Sequence, residues 1–221
     1  MRYRTILLFG APGSGKGTQG RILGTVPGFY HCACGDVFRS LDLQSPMGRK
    51  FWEFSSRGEL VPDTFTIDLW KQTIRGMEMV NRFHPETELL VLDGIPRNVN
   101  QAKLLDEILD VAQVVHLQCR DNAKMVERLR RRALRENRLD DAKDEVIIKR
   151  LEIYEEQTKP VLNFYDRELI AAIDATNSQV QVLQDILKAI APVRERFAED
   201  AERRATIAFQ DPAILLGSLS A

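Results

Sequence analysis

Five short stretches of the chain read as β-type apolar runs: Tyr3 to Phe9, Phe29 to Ala33, Leu89 to Leu92, Val114 to Leu117 and Leu169 to Ile173. Between them lie segments whose apolar residues recur at helical spacing, among them Gln101 to Leu109 and Lys124 to Leu134. Near-continuous apolar strands mark a sheet covered on both faces, and helical crossovers between them make its strands parallel. The pattern predicts an α/β fold with helices on each side. Two stretches interrupt the alternation. Gly35 to Met79 holds helical patterns without a strand, and Ala133 to Asp144 is charged with almost no apolar content, so both are expected to be insertions on the core. After Pro192 the chain changes from the charged, helix-prone Val193 to Arg204 to the apolar Ala213 to Leu219, and with no strand left to pair with it reads as an appendage.

Composition narrows the class. A chain of 221 residues buries roughly 70% of its unfolded surface and needs no staples. No apolar run approaches the ~20 residues of a spanning helix, and the opening run from Ile6 to Phe9 is too short for a signal peptide. No membrane contact is expected. The formal charge of -1 argues against bulk binding to nucleic acid. Of the 31 basic residues 22 are arginine, a bias toward planar, bidentate contacts with carboxylate or phosphate. Three cysteines, with Cys32 and Cys34 two apart in an extended segment, fit a reducing cytoplasm better than a disulfide scaffold.

The strongest chemical signal is Gly10-Ala-Pro-Gly-Ser-Gly-Lys-Gly-Thr18, which follows a predicted strand and opens a predicted helix. Glycines let successive N–H groups turn inward around an anion, the helix N-terminus adds partial positive charge, and Lys16 reaches outer phosphates. The residue after Lys16 is Gly17, and the hydroxyl comes one position later at Thr18, a departure from the general phosphate-loop pattern.

With that departure, Gly10 to Gln19 resembles the loop of adenylate kinases and related nucleoside monophosphate kinases. His31-Cys-Ala-Cys-Gly-Asp-Val-Phe-Arg39, Asp93-Gly-Ile-Pro-Arg97, Asn137-Arg-Leu-Asp-Asp141 and Lys149-Arg-Leu-Glu-Ile-Tyr154 resemble later motifs of that family, in the same order. The resemblance spans about residues 1 to 191. It implies a P-loop NTPase three-layer α/β/α fold with a five-stranded parallel sheet. A helical acceptor-binding insertion at 34–63, a short lid at 133–140 and an appendage of unassigned role at 192–221 complete the expected organisation.

The resemblance also implies Mg²⁺-dependent transfer of the γ-phosphoryl group of ATP to AMP, giving two ADP. A monomer is expected, with the tail at 192–221 available for a further contact. Gly13, Ser14, Gly15, Lys16, Gly17 and Thr18 would hold the ATP phosphates, and Arg128 and Ala175 would lie at the donor base. Arg39, Gly94 and Arg97 would hold AMP, with Cys34 and Gln101 at its base. Lys16, Arg97, Arg132, Arg138 and Arg150 would carry the group in flight. Asp93, and Asp36 through water, would hold Mg²⁺, which needs only one or two carboxylates beside the substrate phosphates. Helical spacing puts Arg128 and Arg132 on one face and Arg130 on another. Arg130, Arg131 and Arg135 are read as solvated or structural charges.

Several positions depart from the family pattern. Cys34 replaces the usual Thr, Ala175 the usual Gly, and the short lid lacks the four metal-binding side chains of long zinc-bearing lids. Gln101 favours an adenine acceptor, where pyrimidine-specific relatives carry Asn. A UMP/CMP kinase and a non-catalytic nucleotide-binding protein are the alternatives. Six arginines between Arg128 and Arg138 could also suit nucleic acid, but acidic residues follow and no aromatic platform lies nearby. The histidines His31, His84 and His116 are expected to be structural. Phe51, Trp52, Phe54, Phe65 and Trp70 are expected to form the insertion's own core.

Overall fold

The computed structural model describes residues 2–119, 121–136 and 143–210. The five apolar runs become β1 (Tyr3–Gly10), β2 (Phe29–Ala33), β3 (Leu89–Asp93), β4 (Leu109–Gln118) and β5 (Ile170–Asp174). They form one parallel sheet in the order β2-β3-β1-β4-β5. The chain leaves central β1 toward one edge and, after β3, crosses to the other side. Such a reversal opens a crevice at the carboxyl ends of the strands.

Side chains alternate across the sheet. Leu7, Phe9, Leu90, Leu92 and Val114 face one layer, which includes Ile67, Trp70 and Ile74 of α4 (Asp63–Met79) and Ala102 and Leu105 of α5 (Val99–Asp106). Ile6, Leu8, Leu89, Val91, Val115 and Leu117 face the other, which includes Leu23 of α1 (Lys16–Leu23) and Val182, Ile186 and Ile190 of α8 (Gln179–Gln210). Helix α5 stops at Asp106, short of the helical period read to Leu109. Leu109 instead pairs in register with Tyr3, where Arg4 and Asp110 also meet at 2.6 Å. An apolar residue at a helix–strand junction fits either period, and the tertiary pairing decides.

The insertion after β2 is helical, with α2 (Cys34–Arg39) and α3 (Pro46–Ser55). The Ser45 side chain caps α3 by accepting from the Gly48 N–H at 3.0 Å, with Pro46 at the first helical position. Phe38 stacks on Phe51 at 5.2 Å and leans on Phe65 at 5.9 Å, and these rings continue the core on one face of the sheet rather than forming a core of their own. Trp70 lies in that same core, fully buried and edge-on to Tyr3 of β1, whereas Trp52 is exposed. Gly58, at φ 72°, lets the end of the insertion rest on α7 (Asp144–Ile153), since a Cβ there would stand 3.0 Å from the Val146 carbonyl oxygen.

No structural break separates residues 1–191 from the start of the tail. Helix α8 runs through Pro192 to Gln210, and Val193 and Phe197 are buried against the second face of the sheet. Pro192 leaves the Lys188 carbonyl without its usual intrahelical donor, and both residues lie on the exposed side of the helix. The buried pair lies four apart on one face of an otherwise charged stretch, and composition alone hid it. Residues 137–142, which include Arg138 and the second half of the lid expected at 133–140, and residues 211–221 of the tail lie outside the described residues. No helix among the described residues is long and apolar enough to cross a membrane.

Phe197→Ala is expected to cost about 3 kcal/mol of unfolding free energy, read by urea denaturation, while Glu199→Ala on the exposed side stays within about 0.5 kcal/mol. Equal effects would show that this turn of α8 lies outside the core.

Candidate functional site

At the end of β1 the chain must reverse direction tightly enough to start α1 after only five intervening residues. Gly13 has φ 85°, and a Cβ on it would lie 2.8 Å from the Met125 carbonyl oxygen, so only glycine fits. Helix α1 then begins at Lys16, and the N–H groups of its first turn, which have no intrahelical acceptor, border the cavity beyond the loop. Lys16 folds back over the loop, donating from Nζ to the carbonyls of Gly10 at 2.7 Å and Ala11 at 3.1 Å. Ser14 supports the loop from beneath: its N–H donates to Ala11 at 3.0 Å and its hydroxyl is buried.

The cavity has a volume of 460 Å³ and lies at the carboxyl ends of the strands. Lys16, Thr18, Arg39, Arg97, Arg128, Arg132 and Arg150 all border it, brought from α1, α2, the loop after β3, α6 (Asn122–Arg135) and α7. A smaller cavity of 40 Å³ shares Arg39, Arg97 and Arg150 with it and adds Cys34, Ser55, Thr66 and Gln101. A glycine-rich anion cradle thus adjoins a smaller pocket lined by polar groups, with guanidinium groups common to both.

Local bonds fix the cationic side chains. Arg39 donates to Asp36 at 2.6 Å. Arg97 is held three ways: its N–H donates to Gln101 Oε1 at 2.8 Å, its carbonyl accepts from Thr158 Oγ1 at 2.7 Å, and its Nε donates to the Gly94 carbonyl at 2.8 Å. Arg128 donates to the Ala175 carbonyl at 3.0 Å, uniting the two residues expected at the donor base. Arg130 forms an exposed fork with Asp144, at 2.8 and 2.6 Å, in line with a structural charge. Arg131, paired with Glu127, and Arg135 border the large cavity as well as solvent, a correction to their reading as solvated or structural charges that fits their spacing of three and four residues from Arg128, Arg131 and Arg132.

The family model described as adenylate kinase matches residues 8–170. The adenylate kinase of Kocuria rhizophila is 35% identical over 191 residues, covering 84% of this chain and 97% of the relative. That of Xanthomonas euvesicatoria is 36% identical over 192 residues, covering 84% and 98%. Adenylate kinase 1 of Nostoc sp. is 34% identical over 188 residues, covering 82% and 95%. The chain belongs to the adenylate kinase family. It is a phosphotransferase.

In this member of the adenylate kinase family, Asp93 ends β3 with its carboxylate buried beside the loop. A Cβ on Gly17 would stand 3.7 Å from Asp93 Oδ2, an ordinary contact that sets this carboxylate beside the first turn of α1. Asp36 borders the same cavity. Among the described residues no three His, Cys, Asp or Glu side chains gather as a metal cage. One buried carboxylate and a second near the cavity form an all-oxygen set that fits a hard divalent cation completed by phosphate and water.

Burial raises the Cys34 thiol to about 12, so it stays neutral in the smaller cavity. His116 lies under the large cavity, its Nε2 3.1 Å from the Tyr154 hydroxyl, and burial lowers its basicity. Four residues bearing on the cavities had no motif to announce them. Arg21 and Glu136 meet at 3.4 Å at the rim, Thr158 holds Arg97, and Asp63 receives the Gln101 amide. Asp63 reads in sequence only as the acidic first residue of a helix after Pro62, and Arg21 only as a surface charge on α1.

Burial in the cleft lowers Lys16 to about 8, with Asp93 opposing and Arg97, Arg132 and Arg150 reinforcing the shift. The folded chain therefore binds fewer protons than the unfolded one between about 8 and 10.5, and this group's cost to stability fades as pH rises through that window. A bound triphosphate favours the ammonium, so nucleotide binding takes up a proton above about pH 8 and weakens as pH rises. Calorimetry of ATP binding at pH 8.5, in two buffers of different ionisation enthalpy, is expected to show that uptake and its loss in Lys16→Met. Equal uptake in the variant would assign the proton to another group.

Proposed function

We propose that this chain catalyses reversible, Mg²⁺-dependent transfer of the γ-phosphoryl group of ATP to AMP, as a monomer in the cytoplasm, where its three unpaired cysteines stay reduced. The observation that carries this reading is the pair of joined cavities, one on the glycine-rich loop and one on Gln101, with Arg39, Arg97 and Arg150 common to both. The loop, with Gly15, Lys16, Gly17 and Thr18, receives the ATP phosphates, and Arg128 and Ala175 flank its base. Arg39 and Arg97 hold the AMP phosphate beside Gly94, while Gln101 and Cys34 face its base. Lys16, Arg97, Arg132, Arg138 and Arg150 meet the transferred group.

Phosphoryl transfer spreads charge over the equatorial oxygens of the moving group, so catalysis is positioning plus electrostatic stabilisation. An oxygen of the AMP phosphate attacks the γ-phosphorus in line, the bond to the β,γ-bridging oxygen breaks, and that oxygen leaves on ADP. The attacking group is already anionic, so no protein base is needed. Lys16 and Arg97 are bonded to backbone carbonyls before substrates arrive, which limits their reorganisation during the step. Asp93, with Asp36 through water, would hold Mg²⁺, which when bound neutralises and orients the phosphate oxygens. The insertion resting on α7 supports exclusion of water from the transfer.

The neutral Cys34 thiol is a weak hydrogen-bond partner, which leaves Gln101 as the main reader of the acceptor base. Coupled assays with AMP, CMP, UMP and GMP are expected to rank AMP first by kcat/KM, and a pyrimidine ranking above it would overturn the acceptor assignment. Arg97→Ala is expected to cost about 2–4 kcal/mol of transition-state stabilisation with the thermal midpoint retained. Turnover near that of the unaltered chain would remove Arg97 from the transfer.

A further inference from the structure

Gln101 sits at the start of α5, almost fully buried, and both ends of its amide are committed to partners of opposite kind. Its Oε1 accepts from the Arg97 backbone N–H at 2.8 Å, and its Nε2 donates to Asp63 Oδ1 at 2.8 Å. A backbone N–H can only donate and a carboxylate can only accept. Turning the amide over would set an oxygen against the carboxylate and an NH₂ against the N–H, two repulsive contacts in a buried place. The orientation is therefore set by chemistry.

Asp63 is itself fixed. Its Oδ1 also accepts from Asn98 Nδ2 at 2.8 Å, and its Oδ2 accepts from Asn100 Nδ2 at 2.7 Å. Asn98 caps α5 by accepting from the Gln101 N–H at 2.8 Å, so the same residue holds the backbone of Gln101 and the carboxylate that orients its side chain. Three amide donors converge on one carboxylate at the first turn of α4. Although burial raises its pKa, these bonds outweigh that effect and hold it below the ordinary range.

A primary amide has two N–H groups and two oxygen lone pairs. With one of each engaged by the protein, Gln101 retains one N–H and one lone pair in a fixed order. Adenine offers an acceptor at N1 beside a donor at N6, whereas a 6-oxopurine offers a donor at N1 beside an acceptor at O6. Reversing the amide exchanges which pattern it matches. We infer that Asp63 is the positioning residue that locks the Gln101 amide in one orientation and thereby makes the acceptor pocket choose a 6-aminopurine over a 6-oxopurine nucleotide.

This inference rests on the proposed acceptor reading and extends it to a residue that carries no motif. Without the lock only the Arg97 N–H orients the amide, and it reverses at lower cost when a 6-oxopurine enters. A site built on hydrogen bonds discriminates strongly against the wrong pattern, and much of that discrimination goes with the lock.

The test compares kcat/KM for AMP and IMP, with ATP as donor, in the unaltered chain, Asp63→Ala, Asp63→Asn and Asn100→Ala. Asp63→Ala is expected to lower the AMP:IMP ratio at least about tenfold. Asp63→Asn, which keeps an acceptor oxygen for Gln101 Nε2, is expected to retain most of it. Asn100→Ala removes only an exposed support of Oδ2 and is expected to lower the ratio about two- to threefold, so the test stands even if Asp63→Ala fails to fold. Direct titration with ATP reports whether the donor side of each variant is intact. A ratio unchanged in Asn100→Ala, or AMP and IMP turnover falling in parallel in Asp63→Ala, would overturn the lock. An unaltered chain that does not phosphorylate AMP at all would overturn the acceptor reading and the lock together, a result distinct from an active enzyme whose ratio ignores Asp63.

Discussion

The constraint behind this structure is the gathering of like charges in one cleft. Lys16, Arg39, Arg97, Arg128, Arg132 and Arg150 border a single cavity of 460 Å³. Two unit charges 4 Å apart repel by about 4 kcal/mol at an effective dielectric of 20, so a protein without a use for such a cluster would disperse it. Here the fold holds it in place. The loop carbonyls receive Lys16, the Gly94 carbonyl and Asp36 receive Arg97 and Arg39, and the Ala175 carbonyl receives Arg128. The stability these groups withhold from the free protein returns when phosphate charge enters between them.

The sheet makes the gathering possible. Because all five strands run parallel, the segments following β1, β2 and β3 emerge on one side, and each delivers part of the site there. The acceptor side depends on finer fixing. Arg97 is bound at its N–H, carbonyl and Nε, and one of those bonds ends on Gln101, whose other end reaches Asp63. Phosphate grip and base recognition thus share one hydrogen-bonded unit, and a disturbance at Asp63 reaches Arg97 through a single side chain.

The sheet was legible because its central strands β1 and β3 are buried on both faces, which leaves uninterrupted apolar runs such as Leu89–Leu92. The phosphate loop was legible because only glycines survive its backbone angles and contacts, as at Gly13. What escaped has a physical reason in each case. The junction at Leu109 fits two periods. Val193 and Phe197 are two apolar residues in a charged helix, and composition averages them away. Trp70 lies near the insertion in sequence but packs on Tyr3 in space. Asp63 and Thr158 act through other residues rather than on a ligand, and a side chain that orients a neighbour carries no motif of its own.

The central claim is that the guanidinium groups surround one phosphate chain joining two nucleotides. A crystal structure of the chain with two adenosines linked by five phosphates tests it most directly. The account predicts phosphates running from the N–H groups of the loop to Arg39 and Arg97, with Arg132 and Arg150 between and one adenine against Gln101. Arginine side chains turned to solvent, or a loop with no phosphate in it, would contradict the account.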